Sequence, residues 1–454
     1  MRKLGVAARV ASSIVAASAV AEASGFSTAS FGGEHGNPTT TDPTALYYNP
    51  SGIADSDGGH LYADTNTAWR SASYERPASP SDAPVPAGAE GANTGRASLL
   101  NLIFSPFVGA SYKLGHWAVG AAFFTPFGGQ SSWNKNDPFR GNTSYPGAVD
   151  GVARWWITSG KIASSFFSVG AAYDFGPLSV GLVGNLIQTT VSINQAREPS
   201  GEDDIEQEGR SFLDVHSWDG SLGVGVTYKA MSNKLRVGAS YQSRPNFGGG
   251  IVATGTLETV FANGALNSNA VGFTTDLPDV FRLGVSYAPR PDLDLRLFGD
   301  FQTWSVLKRQ CVVVKGSPCD LNPDGSARAG SQVLVNQPRN FHDTFGVRAS
   351  ASYWPDHRVE LMAGAGYSSN AIPASTYQPD ILDANALTFS AGTIVSVTPR
   401  LLLGFSYMQL VYLDRDTVGR NAAATLSPPS RAPDAGGKTS ILAGVFNLTA
   451  DYAF

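Results

Sequence analysis

Residues able to make or break bonds are few and scattered along this chain. The six histidines, His35, His60, His116, His216, His342 and His357, have no partner at metal-ligand spacing. No Gly-x-Ser-x-Gly elbow is present, because the recurrent Gly-x-Ser-Tyr lacks the second glycine. Glu202-Asp203-Asp204, with Glu206 and Glu208, forms an acidic run that reads as a solvated loop. The expectation is a protein that is not an enzyme and carries no metal and no cofactor. Cys311 and Cys319 are the two cysteines. In an exported protein their closeness within one polar connection predicts a disulfide.

The elements that carry these residues are unusual in composition. Only 15% of the 454 residues are charged, 50 are glycine and 11% are aromatic. Ordinary soluble domains carry roughly 25% charge and ~7% glycine. A mean hydropathy of −0.08, without a run of ~18 apolar residues in the mature chain, excludes a bundle of spanning helices. A 42% hydrophobic content argues against disorder. Met1-Arg2-Lys3, the small apolar run Val10 to Val20 and Ala21-Glu22-Ala23 predict a signal peptide over 1–23. Its removal leaves 29 basic and 36 acidic residues, a net charge of −7. No basic patch for nucleic acid is present.

Period-two alternation dominates the rest. Leu442, Gly444, Phe446, Leu448, Ala450, Tyr452 and Phe454 form one face of the last segment. Phe281, Leu283, Val285 and Tyr287 repeat the pattern, as do Leu222, Val224, Val226 and Tyr228. A soluble sandwich gives the same period, so the connections decide. Fourteen strands are expected, near 60–74, 97–113, 117–127, 155–174, 178–197, 212–229, 234–253, 279–289, 292–307, 341–354, 357–370, 386–397, 400–415 and 439–454. Tight turns alternate strictly with long polar connections at 75–96, 128–154, 198–211, 254–278, 308–340, 371–385 and 416–438. An even strand count with short turns at one end and long loops at the other is the plan of a bacterial outer-membrane barrel. Tyr112, Tyr173, Tyr228, Tyr287 and Tyr353 each precede a short turn, where they would form one aromatic girdle. The expected fold is therefore all-β, a 14-stranded antiparallel transmembrane β-barrel over 59–454.

Residues 24–58 do not fit the barrel. Asp42-Pro43 reads as a helix start, and Asn49-Pro50 must end that helix. This segment either dangles below the barrel or folds into the lumen as a plug, a hatch. Strand three contains Pro126, followed by Gly128 and Gly129, and its neighbour contains Ser105-Pro106. Proline cannot donate to a ladder and glycine weakens one, so pairing should fail there. Pro126 marks either a kink that opens a lateral portal, with Pro106 and Gly128, or the strand's outer end.

The order of features resembles the FadL/TodX family of outer-membrane transporters for long-chain fatty acids and aromatic hydrocarbons. The similar segments are Gly25-Phe26, Asn49-Pro50-Ser51, Leu277-Pro278, Trp304-Ser305, Phe341-His342-Asp343-Thr344-Phe345, Ile372-Pro373-Ala374, Gly404-Phe405-Ser406-Tyr407-Met408 and Tyr452-Ala453-Phe454. The resemblance implies a monomer in outer-membrane lipid and lipopolysaccharide, assembled by the barrel machinery through Phe454. It implies a hatch carrying Asn49, Pro50 and Ser51, and capture of hydrophobic small molecules by outer loops. The ligand would pass to a site above the hatch and leave sideways near the third strand. Two cationic positions of the family fall near Gln195 and Cys311, which makes Arg197, Lys308 and Arg309 the candidates to meet a carboxylate. As solvated loop charges they would have no such role. A general diffusion porin, or an outer-membrane enzyme or adhesin on the same barrel, are the alternatives. A porin would need an open polar lumen, and an enzyme a nucleophile and base at the outer rim.

Non-reducing peptide mapping of protein from native membranes should recover Cys311 and Cys319 in one linked pair. Two free thiols would overturn the pairing. Closing so short a loop stabilises by about 2–3 kcal/mol.

Overall fold

The computed structural model describes residues 30–454. The expected signal peptide and Gly25-Phe26 lie outside the described residues. Fourteen strands form the wall: β1 (Gly59–Asp64, then Thr67–Arg76), β2 (Gly95–Phe104, then Phe107–Leu114), β3 (Trp117–Ser132), β4 (Ser159–Asp174) and β5 (Leu178–Arg197). They continue with β6 (Gly209–Ala230), β7 (Leu235–Gln242, then Ile251–Val260), β8 (Leu266–Thr275, then Val280–Arg290) and β9 (Leu293–Gln302, then Arg309–Val314). The last are β10 (Val333–Pro338, then Thr344–Tyr353), β11 (Val359–Ser368), β12 (Ala386–Thr398), β13 (Leu401–Tyr412, then Arg415–Asp416) and β14 (Lys438–Ala453). Every neighbour is antiparallel, and β14 pairs back onto β1 through Thr67 with Phe446 and Leu61 with Tyr452. The closed, 14-stranded barrel is the fold that the alternation and the loop pattern predict.

The wall is apolar outside, and its inner face mixes polar residues with apolar ones such as Leu99, Val183, Ile187 and Val191. Leu222, Val224, Val226 and Tyr228 of β6 are exposed, while Ser221 and Thr227 on the alternate positions are buried. Lumen-facing polar groups satisfy one another. Ser168 Oγ donates to Asn185 Oδ1 at 2.5 Å, and Asn185 Nδ2 donates to Ser221 Oγ at 3.0 Å. Tyr112, Tyr228, Tyr287 and Tyr353 are exposed at the short-turn end. Tyr173 packs edge-on against Trp117 there, and Tyr112 stacks on the terminal Phe454.

Two expected connections differ. Residues 254–278 are not a loop but the tops of β7 and β8, joined across 261–265. The connection 308–340 likewise contains the paired upper segments of β9 and β10. The exposed residues of upper β7 and β8 are mostly polar, with Thr256, Glu258, Asn267 and Ser268 among them, beside the apolar Val252 and Leu266. There the apolar residues, Ala253, Leu257, Val271, Phe273 and Val312, cluster on the inner side while the ladder continues. β3 also runs to Ser132 rather than ending near 127, because β4 pairs with it beyond Pro126 across a bulge between Phe124 and Phe127.

Residues 30–58 fill the lumen. Asp42 Oδ1 accepts from the Thr44 backbone N–H at 2.7 Å and starts the helical turn Ala45–Tyr48. Asn49 is extended and ends that turn, and Pro50 opens a 3₁₀ segment, Pro50–Asp55. Asn49 Nδ2 donates to Pro38 O, Val226 O and Thr227 Oγ1 at 2.7, 3.2 and 3.0 Å, while Ser51 Oγ meets Thr227 Oγ1 at 2.8 Å. The segment thus lies hard against β5–β7. Arg348 Nη2 pairs with Glu34 Oε1 at 2.9 Å, Lys229 Nζ with Asp55 at 2.7 Å, and His35 Nε2 with Glu360 at 2.7 Å. Asn447 Nδ2 donates to Ser30 O at 2.8 Å, and Arg282 sits 4.4 Å from the Tyr47 ring centroid. These partners lie on β6, β8, β10, β11 and β14, so the plug is held from around the barrel.

Close approach requires small residues in the wall. A Cβ on Gly181 would sit 2.3 Å from the Pro50 carbonyl carbon and the Ser51 nitrogen, and one on Gly225 would sit 1.9 Å from Asn49 Oδ1. Gly181→Val or Gly225→Val should therefore expel the plug, at a cost of about 1–3 kcal/mol from overpacking. Single-channel conductance in planar bilayers should rise. Gly184→Ala, whose Cβ would meet only Leu222 Cδ2 at 3.8 Å, should leave conductance unchanged. Unaltered conductance in all three variants would mean the plug does not close the lumen.

Candidate functional site: a window between β2 and β3

The ladder between β2 and β3 stops at the pair Phe107–Phe124. Above it, the upper half of β2 pairs with β1 alone and β3 pairs with β4 alone. Pro106 separates the two halves of β2, and Pro126 sits in the β3 bulge. Gly128 follows, buried and paired with Ala163 of β4. Neither proline has an N–H to offer a ladder. The opening has defined edges. At its foot Ser105 Oγ donates to Thr125 O at 2.7 Å, and at its top Asn134 N–H donates to Ser98 O at 2.8 Å. Other ladders also break, but the chain refills them. Residues 243–250 detour between β6 and β7 and bond to Leu222, Gly220 and Asp219 before pairing resumes at Thr254 with His216. Pairing between β2 and β3 does not resume.

Aromatic rings line the foot of the window. Phe124 stacks between Phe107 and Phe166 at 5.5 and 5.6 Å, and Phe31 of the plug touches both Phe107 and Phe124. Phe127 continues the row to Trp304 at 6.1 Å, and Trp304 to Phe341 at 6.0 Å. On the lipid side, Leu100 and Leu102 of β2 are each 71% exposed. Behind the window lies a cavity of about 50 Å³, lined by Gly129, Gln130 and Ser131 of β3, by Ile162 and Val191 on the neighbouring β4 and β5, and by Phe273 of β8. The cavity lies beside the interrupted stretch of the β2–β3 ladder, and its lining mixes apolar with charged side chains.

The residues singled out from sequence are distributed unevenly around it. Pro106, Pro126 and Gly128 border the window. Asn49, Pro50 and Ser51 lie deep against the wall. Lys308 and Arg309 are exposed and line a separate outer cavity of about 420 Å³, together with Arg328. Arg197 lines a third cavity, and its Nη2 donates to Leu334 O at 2.8 Å. The structure does not bring Arg197 together with Lys308 and Arg309, and none of the three borders the window cavity. Cys311 is buried in upper β9 and is joined to Cys319 in the following loop. The charged residues that do line the window cavity, Arg70, Lys161, Arg339 and Asp380, were missed. For Arg70 a signal existed: it shares the inward face of β1 with Ala68, Ala72 and Tyr74.

An antiparallel barrel with exposed apolar belt, filled lumen and one open seam defines an outer-membrane transport protein. The chain belongs to the family described as outer membrane protein transport protein (OMPP1/FadL/TodX), whose model matches residues 6–454. The fold is similar to that of a Pseudomonas aeruginosa FadL homologue, with a TM-score of 0.74 and 16% identity over 96% of this chain and 100% of that one. It also resembles the Ralstonia pickettii toluene transporter TbuX, with a TM-score of 0.60 and 17% identity over 91% and 94% of the two chains. For the P. putida toluene transporter TodX the TM-score is 0.62 and the identity 13% over the same shares. A Neisseria meningitidis serogroup B protein, NMB0088, is 22% identical over 411 residues, 85% of this chain and 83% of that one. The protein is located in the outer membrane.

The loop 369–385 roofs the cavity with Asp380 and Ile381. Its own anchor is Asp383, whose Oδ2 accepts from the Ala371 and Ile372 N–H groups at 2.7 and 3.2 Å. Oδ1 has no partner among the described residues. Burial pushes the Asp383 carboxyl up to about 7, against the lowering effect of those N–H groups and of Arg415. A carboxyl raised on folding stabilises the folded loop while protonated and loses that contribution as pH rises through 7. Hydrogen exchange, corrected for intrinsic rates, should show the loop better protected at pH 5 than at pH 8.5. Asp383→Asn should flatten that difference.

Proposed function

We propose that the protein carries hydrophobic compounds, of the fatty-acid or aromatic-hydrocarbon kind, passively from the outer surface into the outer membrane. Outer loops capture the ligand, the cavity behind the window receives it, and it leaves between β2 and β3 without crossing the periplasm. The carrying observation is the bounded window, whose ladder never resumes above Phe107 and Phe124. The filled lumen supports this route over a general diffusion porin, and the family supports transport over an enzyme or adhesin. On the same reading residues 24–58 act as a hatch, and the chain works as a monomer among outer-membrane lipid and lipopolysaccharide. Phe454 serves as its address for the assembly machinery, and neither cofactor nor nucleic acid takes part. The exposed cations Lys308 and Arg309, with Arg197, stay outer-loop candidates for first contact with an acidic ligand.

Leu100 and Ser132 are exposed on opposite sides of the window. Cysteines at both positions, bridged by a cleavable bismaleimide, should abolish cellular uptake of labelled oleate and of toluene. Ligand binding should survive, and cleavage of the bridge should restore uptake. Normal uptake by the bridged barrel would send the ligand through the hatch instead.

A further inference from the structure

We infer that Arg70, supported by Lys161, is an anion-selecting clamp across the window, so that the compounds favoured carry an apolar body and one acidic head group. This rests on the transport route proposed above. Arg70 projects from the inward face of β1 and is 4% exposed. Its Nη2 donates to Gln130 O at 2.6 Å and to Ser131 Oγ at 3.4 Å. Its Nε has no hydrogen-bond partner among the described residues, and no carboxylate among them pairs with it. A buried guanidinium without a counter-charge is costly, and intramembrane charges of this kind mark ligand pathways.

The cavity around it keeps that charge uncompensated. Asp380, the carboxylate in its lining, is bound by Arg339 at 2.5 Å. Lys161 lines the same cavity from β4 and makes no ion pair among the described residues. Two cations therefore remain beyond the Arg339–Asp380 pair, while Ile157, Ile162, Val191, Ile193, Phe273 and Ile381 supply an apolar surround. That combination fits the head of an amphipathic carboxylate with its first methylenes. A neutral hydrocarbon would leave both cations desolvated and unpaired.

The position of Arg70 gives the contact a second consequence. Gln130 lies in the part of β3 that has lost its β2 partner, and its carbonyl is held by Arg70 from β1 and by Asn101 Nδ2 from β2, at 2.7 Å. These two side chains tie the edges of the window together. A carboxylate is a stronger acceptor for a guanidinium than a neutral carbonyl. An acidic ligand that takes Arg70 competes with Gln130 O and loosens one of the two ties at the exit it must use. A neutral ligand leaves the tie in place.

The test compares decanoate with 1-decanol, equal in chain length and different in charge, at pH 8 in nanodiscs holding the full protein. The wild type should bind decanoate at least about tenfold more tightly, as expected for one charge-assisted bond to a buried group. Arg70→Met should remove that preference while leaving decanol binding in place, and Arg70→Lys should keep most of it. Lys161→Met, which disturbs no hydrogen bond or ion pair described above, should weaken decanoate alone and controls for misfolding of the Arg70 variant. Equal binding of both ligands by the wild type would overturn the inference and leave the transport route standing. So would an equal loss for both ligands in Arg70→Met with no effect of Lys161→Met, which would make Arg70 a brace. Failure of the wild type to bind either ligand would overturn the transport reading and this inference with it.

Discussion

In hydrocarbon there is no water to satisfy a backbone N–H or C=O, and each one left bare costs on the order of several kcal/mol. The rest of this structure follows from that constraint. Closure of β14 onto β1 removes the free edges that any open sheet would present. Where the ladder must stop, between β2 and β3, side chains take over. Ser105 caps Thr125 O at the foot, and Arg70 with Asn101 caps Gln130 O in the opening. Two prolines, without N–H groups, stand where donors would otherwise be stranded. The window is a place where the demand for pairing is met by other means.

The same constraint inverts the usual distribution of residues. The wall's exposed residues are largely leucine, valine and aromatics on the lipid face, while serine, threonine, asparagine and charge share the lumen side with a smaller apolar set. The N-terminal segment is held in the lumen by polar contact, with Glu34 on Arg348, Asp55 on Lys229 and Asn49 on the β6 backbone, and by apolar packing of Leu46 and Ile53 in the buried cluster. Phe31, at the start of the described plug, reaches the rings of Phe107 and Phe124. The segment held in the lumen therefore also packs against the foot of the window.

The fold class and its topology were legible in the sequence. Alternation marks a strand wherever one face meets lipid, and the strict sorting of short and long connections required a barrel with two unlike ends. The pairing failure at Pro106 and Pro126 was legible as well, because a missing donor is a local property. Alternation was not read as strand where β7 to β10 rise above the apolar belt, since there the apolar residues turn inward and the outer face is largely polar. The fate of Pro126 was undecided in the sequence, because local residues do not reveal whether a neighbour continues the strand. Pairing of β4 with Gly128 through Ser132 decided it. Arg197, Lys308 and Arg309 are separated for a similar reason: nearness to a strand top in sequence does not say which cavity a side chain enters. Arg70 and Lys161 meet at Gln130 through the register of the consecutive strands β1 to β4, whereas Arg339 and Asp380 reach the same cavity from the far part of the chain once the barrel closes. The sequence by itself determined which residues face lipid and where a ladder must break; the tertiary structure decided what fills the break, because only closure of the ring sets which charges share a cavity.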